Sequence, residues 1–265
     1  MDFKLRGRTA LVTGSTAGIG FAIAKALAEE GATVIVNGRS EASVTGAVER
    51  IRQAVSAARV DGLAADAATA EGAEALRRHW PQVDVLVNNL GIFAPKPYFE
   101  IGDEEWLRFF DINVVSGIRL SRLYGQGMAE RGWGRILFIS SESAINIPRE
   151  MIHYGVTKTA QIAVARGLAI ELAATGVTVN SLLPGPTRTE GVVDFLGKLA
   201  KEGNKTIAAV EQEFFKTTRP SSLIQRFADP AEVAAMAVYL CSDRASATTG
   251  AAIRVDGGTV SSIVP

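Results

Sequence analysis

Cysteine is almost missing from this chain: of 265 residues only Cys241 carries a thiol, which excludes an internal disulfide framework and fits a reducing compartment. Excess charge is missing too, with 28 basic and 28 acidic side chains, so there is no electrostatic footprint for nucleic acid or an anionic membrane. No apolar run approaches the length of a membrane span, and the opening MDFKLRGR is charged and short, unlike a signal peptide. A cytoplasmic protein is expected. Asn204-Lys-Thr matches a glycosylation sequon, but without a secretory signal it reads as chance. Internal repeats, low-complexity tracts and a second-domain linker are absent, and no metal site is expected. What is present is 47% hydrophobic residues, material for one large α/β core.

The order of the segments predicts how that core is built. Thr9 to Val12 reads as a buried strand, followed by the turn Gly14-Ser15-Thr16-Ala17-Gly18-Ile19-Gly20 and an apolar helix, Phe21 to Glu30. Gly31 closes that helix, and Thr33 to Asn37 is a second strand. Strand, glycine turn, helix, strand is a right-handed unit of the doubly wound type. Glycines there let the backbone approach a pyrophosphate seated on the helix N-terminus. After the second strand, a site for NAD normally offers a carboxylate to the ribose 2′-hydroxyl. This chain offers Asn37-Gly38-Arg39-Ser40, in which nothing repels a 2′-phosphate and Arg39 stands ready to pair with one. NADP is therefore expected, with NAD as the alternative.

Ser40 caps a helix to about Ala57, and Val60 to Ala64 is a third strand ending near Asp66, which either bonds an adenine amine or caps the next helix, Thr69 to Trp80. His79 near that helix's end reads as a dipole partner. Val83 to Val87 is the fourth strand and runs into Asn88-Asn89-Leu90-Gly91, polar residues and glycine where open α/β sheets form their ligand crevice. One long helix opens at Asp103-Glu-Glu-Trp106 and contains Asn113. Ile136 to Ser140 is the fifth strand; Val177 to Leu183 is the sixth, leading into Pro184-Gly185-Pro186-Thr187-Arg188-Thr189. Residues 190–225 mix apolar patches and lysines without a strand pattern, and are expected to form a mobile lid over the substrate. Asp229-Pro-Ala-Glu232 opens a helix to Leu240 with a capping box, and Ala251 to Val255 is the seventh strand. The expected fold is a Rossmann-type doubly wound α/β domain: a seven-stranded parallel sheet with helices on both faces, one domain over residues 1–265.

The most informative stretch runs from Ser140 to Thr159. Tyr154 and Lys158, four apart on a helix, share one face. A phenol acts near neutral pH only if its pKa falls from about 10, and a neighbouring ammonium favours the phenolate. On spacing alone, such a pair is as well explained by a half-exposed helix face.

Together these motifs resemble the classical short-chain dehydrogenase/reductase family over essentially the whole chain. Thr13-Gly14 with Gly18-Ile19-Gly20 is similar to its TGxxxGIG turn, and Asn88-Asn89-Leu90-Gly91 to its NNAG, with Leu where Ala is usual. Tyr154-xxx-Lys158 is similar to its YxxxK, and the interval of twelve residues before Tyr154 selects Ser141 over Ser140. Val255-Asp-Gly-Gly258 also fits. The resemblance implies hydride transfer between a nicotinamide and a ketone or secondary alcohol. In it, Tyr154 is the acid or base, Ser141 holds the substrate oxygen, Lys158 holds the ribose and lowers the phenol's pKa, and Asn113 anchors a water. Pro184 and Gly185 with Thr187 or Thr189 cover the nicotinamide half. The substrate is a small carbonyl compound, of 3-oxoacyl or similar type. Two alternatives are an NAD-dependent polyol or sugar-type alcohol dehydrogenase and a non-catalytic nucleotide-sensing member. A homodimer or homotetramer is implied. Glu142, next to Ser141, departs from the usual pattern and is expected to point into solvent, and Met151 and His153 are candidates for the pocket wall.

Overall fold

In the computed structural model, which describes residues 2–263, the strands are β1 (Thr9–Val12), β2 (Thr33–Gly38), β3 (Arg59–Ala64), β4 (Val85–Asn88), β5 (Gly134–Ile139), β6 (Val177–Pro184) and β7 (Ala252–Val255). Successive side chains on a strand point to opposite faces, and here both faces are buried. Ala10 and Val12 of β1 enter one core with Val34, Val85 and Leu137; Leu11 enters the other with Ile35, Leu86 and Ile136. All strands pair in parallel in the order β3-β2-β1-β4-β5-β6-β7. The order reverses between β1 and β4, so the crevice at the carboxyl ends of these strands is where a ligand fits.

The helices are α1 (Gly18–Glu29), α2 (Glu41–Ala54), α3 (Ala70–His79), α4 (Asp103–Phe110), α5 (Ser116–Glu130), α6 (Ile152–Glu171), α7 (Glu190–Glu202), α8 (Ile207–Thr217) and α9 (Pro230–Leu240). Ile23 and Leu27 of α1, Val44 and Ile51 of α2 and Val233 and Ala237 of α9 cover one face of the sheet. Leu76 of α3, Leu120 and Met128 of α5 and Ala165 and Ala169 of α6 cover the other.

Local chemistry explains most boundaries. Ser40 and Thr69 accept the Ser43 and Gly72 amides at the starts of α2 and α3, and Asp229 with Glu232 forms the expected capping box. Gly31 and Gly176 take the left-handed conformation that ends the helices before them. The differences are informative. α1 starts at Gly18 rather than Phe21, so that the end of the glycine turn is also the first turn of the helix. α6 stops at Glu171, short of the expected Ala174, which itself turns left-handed at φ 61°. The helix expected to run unbroken from Asp103 is divided by a π-type turn, Asp111–Val115, that holds Asn113. Residues 190–225 contain two helices: Thr189 and Thr206 cap α7 and α8, whose buried Leu196, Ala200, Val210 and Phe215 gather on Phe227.

Candidate active site

β1 ends in the glycine turn, where Gly14 and Gly18 have φ of 58° and 56°, conformations that strain any other residue. Gly20 has no room for a side chain, since a Cβ would meet the Gly14 carbonyl and the Asn89 amide. Ser15 is buried: its Oγ donates to Val12 O at 2.7 Å and accepts from Asn37 N at 3.0 Å, so it shapes the turn. Asn37 is equally committed, donating to Leu63 O and Ala65 O. Thr16 packs beside Gly38, where its methyl would collide with a Cβ. Arg39 is exposed after β2 and has no ion-pair partner among the described residues. Asp66 is exposed after β3, and its Oδ1 accepts Ala68 N at 3.1 Å in the turn before α3, whose cap is Thr69 and not Asp66.

This turn suits a dinucleotide phosphate on an observation of its own: a carboxylate already sits there. Gly18 N donates to Glu190 Oε2 at 2.8 Å, across 172 residues of sequence, at the positive end of α1. α1 has no side-chain cap from its own flank.

Asn88 and Asn89, at the end of β4, divide their work. Asn88 donates to Ser121 of α5 at 3.1 Å, and Asn89 Nδ2 donates to Thr13 O and Gly14 O, clamping the glycine turn. A Cβ on Gly91 would lie 3.4 Å from both Asn113 Oδ1 and Lys158 Nζ, so the loop passes close to both. The Asn113 amide closes a two-way bond with Ile92, accepting its N–H at 2.7 Å and donating to its carbonyl at 3.0 Å, and also donates to Thr157 Oγ1 at 3.0 Å. The π-type turn frees the Asn113 carbonyl, which accepts from Gln161 Nε2 at 2.5 Å. Lys158 is buried and donates to Ile139 O at 2.9 Å and Gln161 Oε1 at 3.2 Å. Removal from water pushes its ammonium down to about 7.

The two serines separate cleanly. Ser140 Oγ is spent on Lys158 O at 2.8 Å, whereas Ser141 lines the cavity together with Tyr154. Burial is the largest influence on Tyr154 and pushes its pKa up, opposed by the Ser141 hydroxyl and Arg219 and aided by Glu142. The expected lowering by Lys158 is therefore overturned: Nζ lies 5.6 Å from the ring centroid, and desolvation dominates both groups.

Glu142 overturns a second expectation. It is buried rather than solvated: its Oε2 accepts Ser141 Oγ at 2.5 Å and its Oε1 accepts Arg219 Nε at 3.1 Å. Arg219 follows α8, and its Nη1 also donates to Glu150 Oε1 at 3.2 Å. No sequence signal marks Arg219, and Gln161 and Glu190 become visible only through their partners.

These groups open on a cavity of about 590 Å³ between the carboxyl ends of the strands and α7–α8. Of the sequence candidates, Ile19, Ser141, Tyr154, Pro184, Gly185, Thr187 and Thr189 line it; Asn113 and Lys158 do not, and Arg39 and Asp66 are exposed residues outside it, after β2 and β3. A Cβ on Gly185 would strike Asp256 O at 2.6 Å, so the β6 turn packs directly on the segment after β7. Met151, Phe93, Phe195 and Phe214 join the wall, while His153 packs behind it between Trp106 and Phe109. Among the described residues no cluster of metal-ligating side chains occurs, and no helix is long and apolar enough to cross a membrane.

Known proteins share this architecture. A family model described as Enoyl-(Acyl carrier protein) reductase matches residues 14–260. The uncharacterized oxidoreductase YvaG of Bacillus subtilis is 48% identical over 99% of this chain and all of that protein. The D-beta-hydroxybutyrate dehydrogenase of Cupriavidus necator is 35% identical over 97% of this chain and 99% of that protein. The crystal structure of L-sorbose reductase from Gluconobacter frateurii, complexed with NADPH and L-sorbose, superposes with a TM-score of 0.94 at 32% identity, covering 99% of this chain and all of that one. With matching motifs, sheet order and near-full coverage, the chain belongs to the classical short-chain dehydrogenases/reductases, NAD(P)-dependent oxidoreductases acting on alcohol and ketone groups.

Proposed function

We propose that this enzyme reduces a ketone to a secondary alcohol with NADPH, using Tyr154 as the general acid. The observation that carries the reading is that Ser141 and Tyr154 line one cavity together with Ile19 of the glycine turn. A bound nicotinamide dinucleotide supplies the two-electron chemistry. The protein's own part is to orient and protonate. Ser141 and Tyr154 present two hydroxyls to one substrate oxygen, where negative charge grows as the carbonyl is reduced. Burial keeps the phenol protonated, which favours the reductive direction, since the acid must hold its proton until the oxygen takes it. Lys158, held by Ile139 O and Gln161 Oε1, would bond the ribose hydroxyls. Asn113, fixed by Ile92 and Thr157, keeps Gly91 and Lys158 in register.

Preference for NADP rests on the exposed, unpartnered Arg39 and on the missing carboxylate after β2. The NADPH complex of the L-sorbose reductase supports it. Residues 190–225 act as the lid, and the enzyme works as a soluble homo-oligomer in the cytoplasm; sedimentation and fractionation check the last two points.

The test is NADPH oxidation against a panel of ketones. Tyr154→Phe is expected to lower kcat/KM by roughly 100- to 10,000-fold. Equal rates in both proteins would point to a nucleotide sensor without the chemistry. Arg39→Ala is expected to weaken NADPH but not NADH; unchanged NADPH affinity would refute the cofactor reading.

A further inference from the structure

A carboxylate held largely out of water in the cavity wall requires an explanation, because burying an ion is unfavourable unless it is paired and put to use. The Glu142 side chain is only 7% exposed, yet it lines the cavity and lies one hydrogen bond from the serine that faces the reacting oxygen. Arg219 pairs with it but also with Glu150, so two carboxylates share one guanidinium and the cluster keeps a net negative charge. An anionic substrate entering here meets like charge in a poorly screened place. An uncharged hydroxyl meets an acceptor, since an ionised carboxylate can only accept.

The placement says which hydroxyl. Ser141 Oγ and Glu142 Oε2 are neighbours at 2.5 Å, much as two oxygens on adjacent carbon atoms are neighbours. A substrate whose carbonyl oxygen lies against Ser141 and Tyr154 would put a hydroxyl on the next carbon against Oε2. Ser141 now directs its own proton at Glu142. A substrate hydroxyl that takes over Oε2 releases this proton to turn toward the carbonyl oxygen. A plain ketone offers no replacement and leaves Ser141 facing the wrong way. The remaining wall, with Phe93, Met151, Val192, Phe195 and Phe214, suits carbon chain.

We infer that the site selects uncharged α-hydroxy ketones and their vicinal diols, with Glu142 accepting the hydroxyl adjacent to the reacting carbonyl and rejecting carboxylate-bearing analogues. This rests on the reductase reading above. The reaction adds two hydrogens across the C=O bond to give the diol. The oxygen-bound hydrogen comes as a proton from Tyr154; the carbon-bound one and the electron pair come from the reduced dinucleotide.

The probes are 3-hydroxybutan-2-one, butan-2-one and 2-oxobutanoate, each with NADPH. The hydroxy ketone should exceed both of the others in kcat/KM by about 10- to 100-fold, the range set by a hydrogen bond to a charged group. In Glu142→Gln the ratio over butan-2-one should fall severalfold and relative use of 2-oxobutanoate should rise. Calorimetric titration with butane-2,3-diol should show binding to wild type that weakens in the variant. Tyr154-dependent reduction in wild type without preference for the hydroxy ketone overturns this inference and leaves the reductase standing. No Tyr154-dependent reduction of any probe overturns both. The wild-type comparison needs no variant to fold.

Discussion

His153 and Tyr154 are adjacent on α6, and burial acts on them in opposite chemical senses. It disfavours charge in both, so the imidazole loses its proton more easily while the phenol keeps its own. His153 packs its ring 4.0 Å from that of Phe109, and both nitrogens lack hydrogen-bond partners among the described residues. Glu105, with Nε2 at 3.8 Å from its Oε1, pulls the pKa back up, but less than desolvation lowers it, and Lys96 adds to the lowering. The sign follows: the unfolded chain binds a proton near the ordinary value of 6.5, while the folded ring resists it to lower pH. Stability from this residue is intact above that value and is lost as pH falls toward the lowered one. Urea midpoints at pH 7 and pH 5 should therefore diverge in the wild type and converge in His153→Leu. A phenol held neutral likewise predicts that reduction in the proposed mechanism keeps its rate into mildly alkaline pH, readable as a flat kcat profile there.

At the scale of elements, α1 is the clearest case of a helix finished by a distant residue. Its N-terminus has no acidic side chain in the first turn and no cap of its own, and Glu190 of α7 takes the place. If the glycine turn holds the dinucleotide phosphate, that carboxylate competes with it. Glu190→Gln is expected to tighten NADPH binding by up to about fivefold, the equivalent of about 1 kcal/mol for a charge at an exposed helix terminus, as read by fluorescence titration at low salt. Gly20→Ala should do the reverse. Its methyl has nowhere to go between Gly14 O and Asn89, and overpacking of this kind costs about 1–3 kcal/mol, so Tm and cofactor affinity should fall together.

At the scale of the whole molecule, the described residues form three hydrophobic clusters, one on each face of the sheet and a small one under α7 and α8. The third is built on Phe215, whose ring lies 5.0 Å from that of Phe227, with Phe214 stacked 5.1 Å from Phe227 on the cavity side. Phe215→Ala should cost about 3–5 kcal/mol at that site. Because this core is separate, the loss should appear as faster hydrogen exchange and proteolysis within residues 190–225, with the sheet still protected. Loss of protection throughout the sheet would show that this segment and the main fold unfold as one unit.

The strands, the turns and the capped helix starts were determined by the sequence itself, because their causes are local. Continuous apolar runs, Ser40, Thr69 and the Asp229–Glu232 box act within a few residues of where they stand. The motif residues Ser141, Tyr154 and Lys158 were legible through the resemblance to a family pattern, since spacing alone did not distinguish them from an ordinary helix face. Tertiary structure alone decided the electrostatics. Glu142 read as a solvated residue because its partner Arg219 lies 77 residues further on, and the glycine turn gave no sign that Glu190 would reach it. Nor does helical spacing reveal that Lys158 is buried and Tyr154 half-buried, or that desolvation turns the expected lowering of the phenol's pKa into a rise. Ionisation depends on water and on every charge nearby in space, and a sequence orders neighbours only along the chain.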